Sequence, residues 1–132
     1  MNISKARILV ADPDADVRAT LKIYFENRDF EVHGATLAGE IVKIARPWQP
    51  QVILISTEFT DQDPHQVCRD LLEDTLTGHI PLVMLLHLNE RTARLEALEA
   101  GVNDIVPKPF DIEELYLRVE AAIRLTTMRQ AW

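Results

Sequence analysis

The sequence predicts a three-layer α/β sandwich built on an open parallel sheet, and three observations predict it. Short aliphatic or β-branched runs alternate along the chain with amphipathic segments of helical period. The first, third and fourth runs are apolar at every position, the pattern of strands that helices cover on both faces. The chain has 132 residues, and domains most often run to about 100–150. One domain is therefore expected over 1–132, with a core over about 6–125, and 126–132 read as the end of a helix or the start of a linker.

The first run is Ile8-Leu9-Val10, and Val17, Leu21, Tyr24 and Phe25 follow at helical spacing. Asp14 is placed to act as the N-cap or first-turn acid of that helix. The second run, Phe30-Glu31-Val32, admits a charge and reads as peripheral, and Leu37, Ile41, Ile44 and Ala45 form the next helical stripe. The third is Val52-Ile53-Leu54-Ile55. Asp63-Pro64-His65-Gln66 then combines an N-cap acid, proline at the first helical position and glutamine at the third, ahead of Val67, Leu71 and Leu72.

The fourth run is Leu82-Val83-Met84-Leu85-Leu86, after which Leu95 and Leu98 stand among several alanines and Gly101 is placed to stop the helix. The fifth, Asp104-Ile105-Val106, is weaker. Asp111-Ile112-Glu113-Glu114 opens the last helix, which carries Ile112, Leu115, Val119, Ala122 and Ile123. Strand-to-strand crossovers in such a sheet are right-handed.

Composition narrows the function. Fourteen Lys and Arg stand against 21 Asp and Glu, a net charge of −7. Polyanion binding depends on Lys and Arg neutralising phosphates, so no nucleic-acid partner is expected. Cys68 is the single cysteine, which excludes an internal disulfide and a cysteine-based zinc site and fits a reducing compartment. No apolar stretch approaches the roughly 18 residues of a membrane span, so a cytoplasmic protein without a membrane partner is expected. His33, His65, His79 and His87 lack the short spacings that put two ligands on one helix face, and no glycine-rich nucleotide cradle is present.

Ligand chemistry in an open parallel sheet sits beyond the carboxyl ends of the strands. The residues there are Ala11-Asp12-Pro13-Asp14, Ser56-Thr57-Glu58, Leu86-His87 and Pro107-Lys108-Pro109. Ile8-Leu9-Val10-Ala11-Asp12 followed by Asp16-Val17-Arg18, Pro50 to Ile55, Ile80 to Leu85 and the run Leu98-Glu99-Ala100-Gly101-Val102-Asn103-Asp104 leading to Lys108-Pro109-Phe110 resemble the receiver domain of two-component response regulators. The resemblance covers roughly residues 6–125. It implies a flavodoxin-like (βα)5 fold with sheet order 2-1-3-4-5, and a signalling module in place of an enzyme.

It also implies a pocket chemistry from which this sequence departs. In that family two acids after the first strand and an aspartate ending the third hold Mg²⁺, and the aspartate takes a phosphoryl group from a histidine kinase. A Thr or Ser ending the fourth strand and a Lys after the fifth contact the phosphoryl oxygens. Asp12 and Lys108 match; Pro13 stands at the second acid, Ser56 at the phosphoacceptor, Leu86 at the Thr/Ser and Ile105 at the switch aromatic. Ser56 is therefore not expected to be phosphorylated and Mg²⁺ binding is expected to be weak or absent. Lys108 is expected to pair with Asp12, and the Lys108-Pro109 bond resembles the family's cis peptide.

Three functional readings follow. The first is a degenerate receiver that signals by protein–protein interaction without phosphorylation. The second keeps phosphorylation but moves it to Glu58 or Asp61. The third is a small hydrolase-like enzyme in which His87 activates Ser56, although no G-x-S-x-G motif accompanies the pair. For the first, the resemblance implies a partner or homodimer face on the fourth helix, fifth strand and fifth helix, carrying Arg91, Arg94, Glu96, Asp104, Tyr116, Arg118 and Glu120. Asp104 and Arg118 resemble positions that form salt bridges between subunits.

Overall fold

The structure is a computed structural model that describes residues 5–87 and 89–130, with side chains as far as residue 126. Five strands, β1 (Ala6–Ala11), β2 (Phe30–Ala35), β3 (Val52–Ser56), β4 (Leu82–His87) and β5 (Asp104–Lys108), form one sheet in the order β2-β1-β3-β4-β5. Every neighbouring pair is parallel. The helices are α1 (Ala15–Glu26), α2 (Ile41–Trp48), α3 (Pro64–Glu73), α4 (Arg91–Ala100) and α5 (Ile112–Gln130). The expected flavodoxin-like architecture is present. Residues 131–132 of the expected linker lie outside the described residues.

Strand side chains point alternately to the two faces, which divides the core. Ile8, Val10, Val52, Leu54, Val83, Leu85 and Val106 meet Leu21 and Phe25 of α1 and Leu115, Val119 and Ala122 of α5. Leu9, Ile53, Ile55, Leu82, Met84 and Leu86 face Ile41 and Ala45 of α2, Val67, Cys68 and Leu71 of α3, and Ala97 and Ala100 of α4. β3 is buried along its whole length because strands and helices surround it on every side. Pro107 sits in β5, an edge strand, where a missing N–H costs no ladder bond to a further strand.

The caps form as the sequence predicts. Asp14 Oδ1 accepts from the Asp16 and Val17 amides at 2.8 and 3.4 Å. Asp63 Oδ1 accepts from the His65 amide at 2.9 Å, and Asp111 Oδ1 from the Glu113 and Glu114 amides. Gly101 ends α4 at φ 89°, a left-handed conformation that a side chain would strain.

Two expected apolar stripes are corrected. Leu37 precedes a 3-10 turn, Ala38–Glu40, and is exposed; Ala38 takes the core position. On α4 the alanines face the sheet while Leu95 and Leu98 point outward, 46% and 58% exposed. Small side chains let this helix lie close to the sheet, so the larger apolar residues fall on its outer side.

Candidate functional site

The carboxyl ends of β1, β3 and β5 bring Asp12, Ser56 and Lys108 together. Asp12 follows β1, Ser56 ends β3 beside it, and Lys108 ends β5 opposite His87 of β4. The Lys108 side chain reaches back across the end of β4. Its Nζ donates to Asp12 Oδ2 at 2.6 Å, to Glu58 Oε2 at 3.1 Å and to Ser56 Oγ at 3.3 Å. The expected Asp12–Lys108 ion pair is formed, and it is buried: Asp12 and Ser56 are 0% exposed and Lys108 8%.

Three protons of the ammonium thus meet three oxygen acceptors, the full donor capacity of a lysine. Asp12 Oδ1 accepts from the Asp14 amide at 2.9 Å, so both of its oxygens are engaged. No side-chain nitrogen or oxygen that is buried among the described residues lacks a partner.

Glu58 completes the network. The Glu58 amide donates to Ser56 Oγ at 3.0 Å, a serine turn that bends the chain back over the strand end and aims the Glu58 side chain at Lys108. Its other oxygen, Oε1, lies 2.6 Å from His87 Nε2. The hydrogen bond from His87 is the chief cause holding the Glu58 carboxyl below its ordinary range, joined by Lys108 and opposed by partial burial. From sequence Glu58 reads as a loop acid; the signal that could have found its role is a serine two residues before an acid at a strand end.

The other expected positions are distributed as follows. Pro13 is exposed beside Asp12, and Pro109 is exposed after a cis Lys108-Pro109 bond. Leu86 is buried in β4, and Ile105 packs against the layer formed by α2, α3 and α4. The Ser56–His87 pairing is not made: His87 Nε2 is paired with Glu58, and Ser56 Oγ is occupied by Lys108 and the Glu58 amide. Without a base on its hydroxyl Ser56 is not an activated nucleophile. The buried Cys68 thiol is pushed up to about 12 by desolvation, which keeps it from acting as one. Asp61 faces away from this site, its two oxygens accepting from the Ala38 and Gly39 amides at 3.0 Å each.

On the face of α4, β5 and α5, Arg91 and Arg94 are exposed. Arg118 Nη1 donates to both Asp104 oxygens at 3.1 Å and its Nη2 to Glu114 at 3.0 Å, so within a single chain these charges pair with each other. Tyr116 does not belong to this face. It turns toward α1, with ring contacts to Tyr24, Phe25 and Phe30 and the Arg28 guanidinium 5.3 Å from its ring centroid.

Because the folded state holds Glu58 below its unfolded value of 4.5, its contribution to stability is complete above that value. It is lost as pH falls through the folded value. Glu58→Gln is expected to lower stability by about 1 kcal/mol at pH 7. The gap to the unmodified chain should shrink in urea unfolding as the pH approaches 3. A gap equal at both pH values contradicts this.

A doubly wound parallel sheet carrying an acid after its first strand and a buried lysine at the end of its fifth defines a signalling module of the receiver class. The family model described as the response regulator receiver domain matches residues 8–120, and the chain belongs to that family. It is 35% identical over 119 residues to the transcriptional regulatory protein SrrA of Staphylococcus aureus (strain NCTC 8325 / PS 47). That match takes in 90% of this chain and 48% of SrrA, so the chain spans about half the length of the curated relatives it matches.

A two-component response regulator from Clostridium difficile superposes with a TM-score of 0.83 at 26% identity, over 91% of this chain and 97% of the other. A CheY-like receiver domain protein from Methanospirillum hungatei JF-1 shares the fold, with a TM-score of 0.88 at 19% identity over 96% and 99% of the two chains. The chain is a receiver domain of a two-component system.

Proposed function

We propose that this receiver signals without Mg²⁺-dependent aspartyl phosphorylation, by presenting a fixed surface to protein partners in the cytoplasm. One observation carries the reading: the Lys108 ammonium is enclosed by Asp12, Ser56 and Glu58 at 2.6, 3.3 and 3.1 Å. The resemblance assigns that lysine to phosphoryl oxygens, and here the chain's own groups satisfy it.

The same residues do not fit Mg²⁺, which requires an octahedral shell of oxygens from carboxylates, water or phosphate. Asp12 and Glu58 both face a lysine cation, and Pro13 and Ser56 supply no charge. The face carrying Arg91, Arg94, Asp104 and Arg118 is the proposed partner surface, and a second copy of the chain is one candidate occupant. The net charge of −7 favours protein over nucleic acid as partner of this segment.

A second reading has Glu58 as the phosphoacceptor, and its orientation toward Lys108 favours it over Asp61, whose carboxylate caps the 3-10 turn. Incubation of the chain with acetyl phosphate, and separately with beryllofluoride, in the presence of Mg²⁺ decides between the two. The expected result is no mass increase and an unchanged amide spectrum. A hydroxylamine-sensitive phosphate on Glu58 establishes the second reading, and an adduct at any other pocket residue overturns both.

A further inference from the structure

The two edges of the sheet differ. β5 is blunted by Pro107, which has no N–H to offer a further strand. β2 carries neither proline nor bulge, and its six residues pair with β1 in unbroken register from Phe30 to Ala35. Backbone groups of successive strand residues point to alternate sides. The Ala35 carbonyl oxygen accepts from the Asp12 amide at 3.2 Å, so Glu31, His33 and Ala35 turn their N–H and C=O toward β1. Those of Val32 and Gly34 therefore point out of the sheet. The next outward N–H, that of Thr36, donates to Glu40 Oε1 at 3.1 Å, but among the described residues nothing bonds the outward main-chain groups of Val32 and Gly34.

A groove of about 310 Å³ lies beside this edge on the α1 side. The sheet contributes Val10, Val32 and Gly34 to it, α1 contributes Arg18, Lys22 and two alanines, and no carboxylate lines it. The missing side chain at Gly34 keeps it open, since a Cβ there would stand 3.4 Å from Arg18 Cδ. Arg18 Nη1 donates to the Asp12 carbonyl oxygen at 2.8 Å. Among the described residues neither this guanidinium nor the exposed Lys22 ammonium is paired with a carboxylate. In a chain of net charge −7, two such cations stand beside an open strand edge. Glu31 and His33 project to the opposite face of the sheet, where Arg7 is the register partner of Glu31 in β1.

We propose that the β2 edge receives an extended acidic segment of a partner protein as a further strand: its main chain pairs with Val32 and Gly34, and a carboxylate side chain enters the groove and meets Lys22 and Arg18. Strand addition draws its affinity from main-chain hydrogen bonds and its specificity from pockets for alternate side chains, and this edge offers both. A second copy of the chain suits the edge less well. Antiparallel pairing through β2 sets the two grooves side by side on one face, so Arg18 and Lys22 of both copies meet with no carboxylate between them. β2 and β5 close opposite ends of the sheet, so this surface is separate from the partner face proposed above, and it does not depend on whether the chain is phosphorylated.

The test titrates the whole chain with a peptide of about seven residues that alternates glutamate with valine, and with its lysine–valine counterpart, each up to about 1 mM. Amide NMR shifts and hydrogen exchange are followed. The acidic peptide should shift the Val32 and Gly34 amides and slow their exchange about tenfold near saturation, and the basic peptide should do neither. Lys22→Glu, a change on the exposed side of α1, should weaken the acidic peptide at least about threefold and let the basic one bind. Gly34→Pro removes an outward N–H without touching the ladder to β1 and should lose most of the binding; should that variant not fold, Lys22→Glu decides. Val32 and Gly34 amides that do not respond to the acidic peptide, or equal binding of the two peptides, overturn the proposal. Protection of this edge that rises with protein concentration in the absence of peptide also overturns it, with a second copy as the occupant.

Discussion

Lys108→Met is expected to destabilise the chain by about 3–5 kcal/mol, because it leaves a buried carboxylate without its counter-charge. Asp12 is 0% exposed and Lys108 Nζ lies 2.6 Å from its Oδ2, so water cannot take over the role of the ammonium. Glu58, whose side chain is 34% exposed, can recover solvation and contributes less to the loss. Asp12→Asn should be milder, since Lys108 retains Ser56 and Glu58 as acceptors. The double variant Asp12→Asn/Lys108→Met should be more stable than the two separate losses summed, by about 2 kcal/mol, since neither partner is then left as a buried charge. Denaturant unfolding at pH 7 measures all three. A loss below about 1 kcal/mol for Lys108→Met would show that the pair is solvated.

This network explains how the chain can keep the receiver fold with a changed pocket. The fold is specified by β1, β3 and β4 and by the caps at Asp14, Asp63 and Asp111, and the side chains at positions 13, 56, 86 and 105 make none of the strand-pairing or capping hydrogen bonds. Those four positions are where the resemblance implies phosphorylation chemistry and this sequence departs from it. Here Leu86 fills core volume in β4, Ile105 packs against the layer formed by α2, α3 and α4, and Ser56 fixes the turn that delivers Glu58. The replacements are absorbed by packing and by one short hydrogen-bonded network.

The strands were readable because continuous apolar runs with two buried faces have few alternatives, and the caps because a short polar side chain before a helix has one effective use. Helix α4 was misread for a physical reason: periodicity selects the largest apolar residues, whereas close helix–sheet packing selected Ala97 and Ala100 and left Leu95 and Leu98 outside. Tyr116 was misplaced for a related one. Helical residues two positions apart point about 200° apart, so Tyr116 faces α1 while Arg118 faces β5, although both belong to α5. In the site, the Asp12–Lys108 pair was legible because the resemblance puts two opposite charges at the same carboxyl edge of the sheet, Asp12 after β1 and Lys108 at the end of β5. The position of Glu58 depends on a backbone turn made by the Ser56 hydroxyl, and charge spacing does not reveal that.

The second large effect is expected far from the pocket. Phe25→Ala should cost about 3–5 kcal/mol, the range for deleting a fully enclosed aromatic side chain. Phe25 is 0% exposed and joins three elements: its ring centroid lies 5.1 Å from that of Phe30 in β2, 5.9 Å from that of Tyr116 in α5 and 5.8 Å from that of its α1 neighbour Tyr24. The perpendicular ring arrangement with Phe30 cannot be restored by a smaller side chain. Phe25→Leu, which retains most of the volume, should lose about 1–2 kcal/mol. Leu98→Ala on the exposed side of α4 should lose under about 0.5 kcal/mol, although it too removes a large apolar group. Urea unfolding of the three variants measures the order. If Phe25→Ala proves no worse than Leu98→Ala, the layer between α1 and α5 is not the close-packed contact described here. Amide shifts around Lys108 should be unchanged in folded Phe25→Leu, because the aromatic layer and the charged network share no side chain.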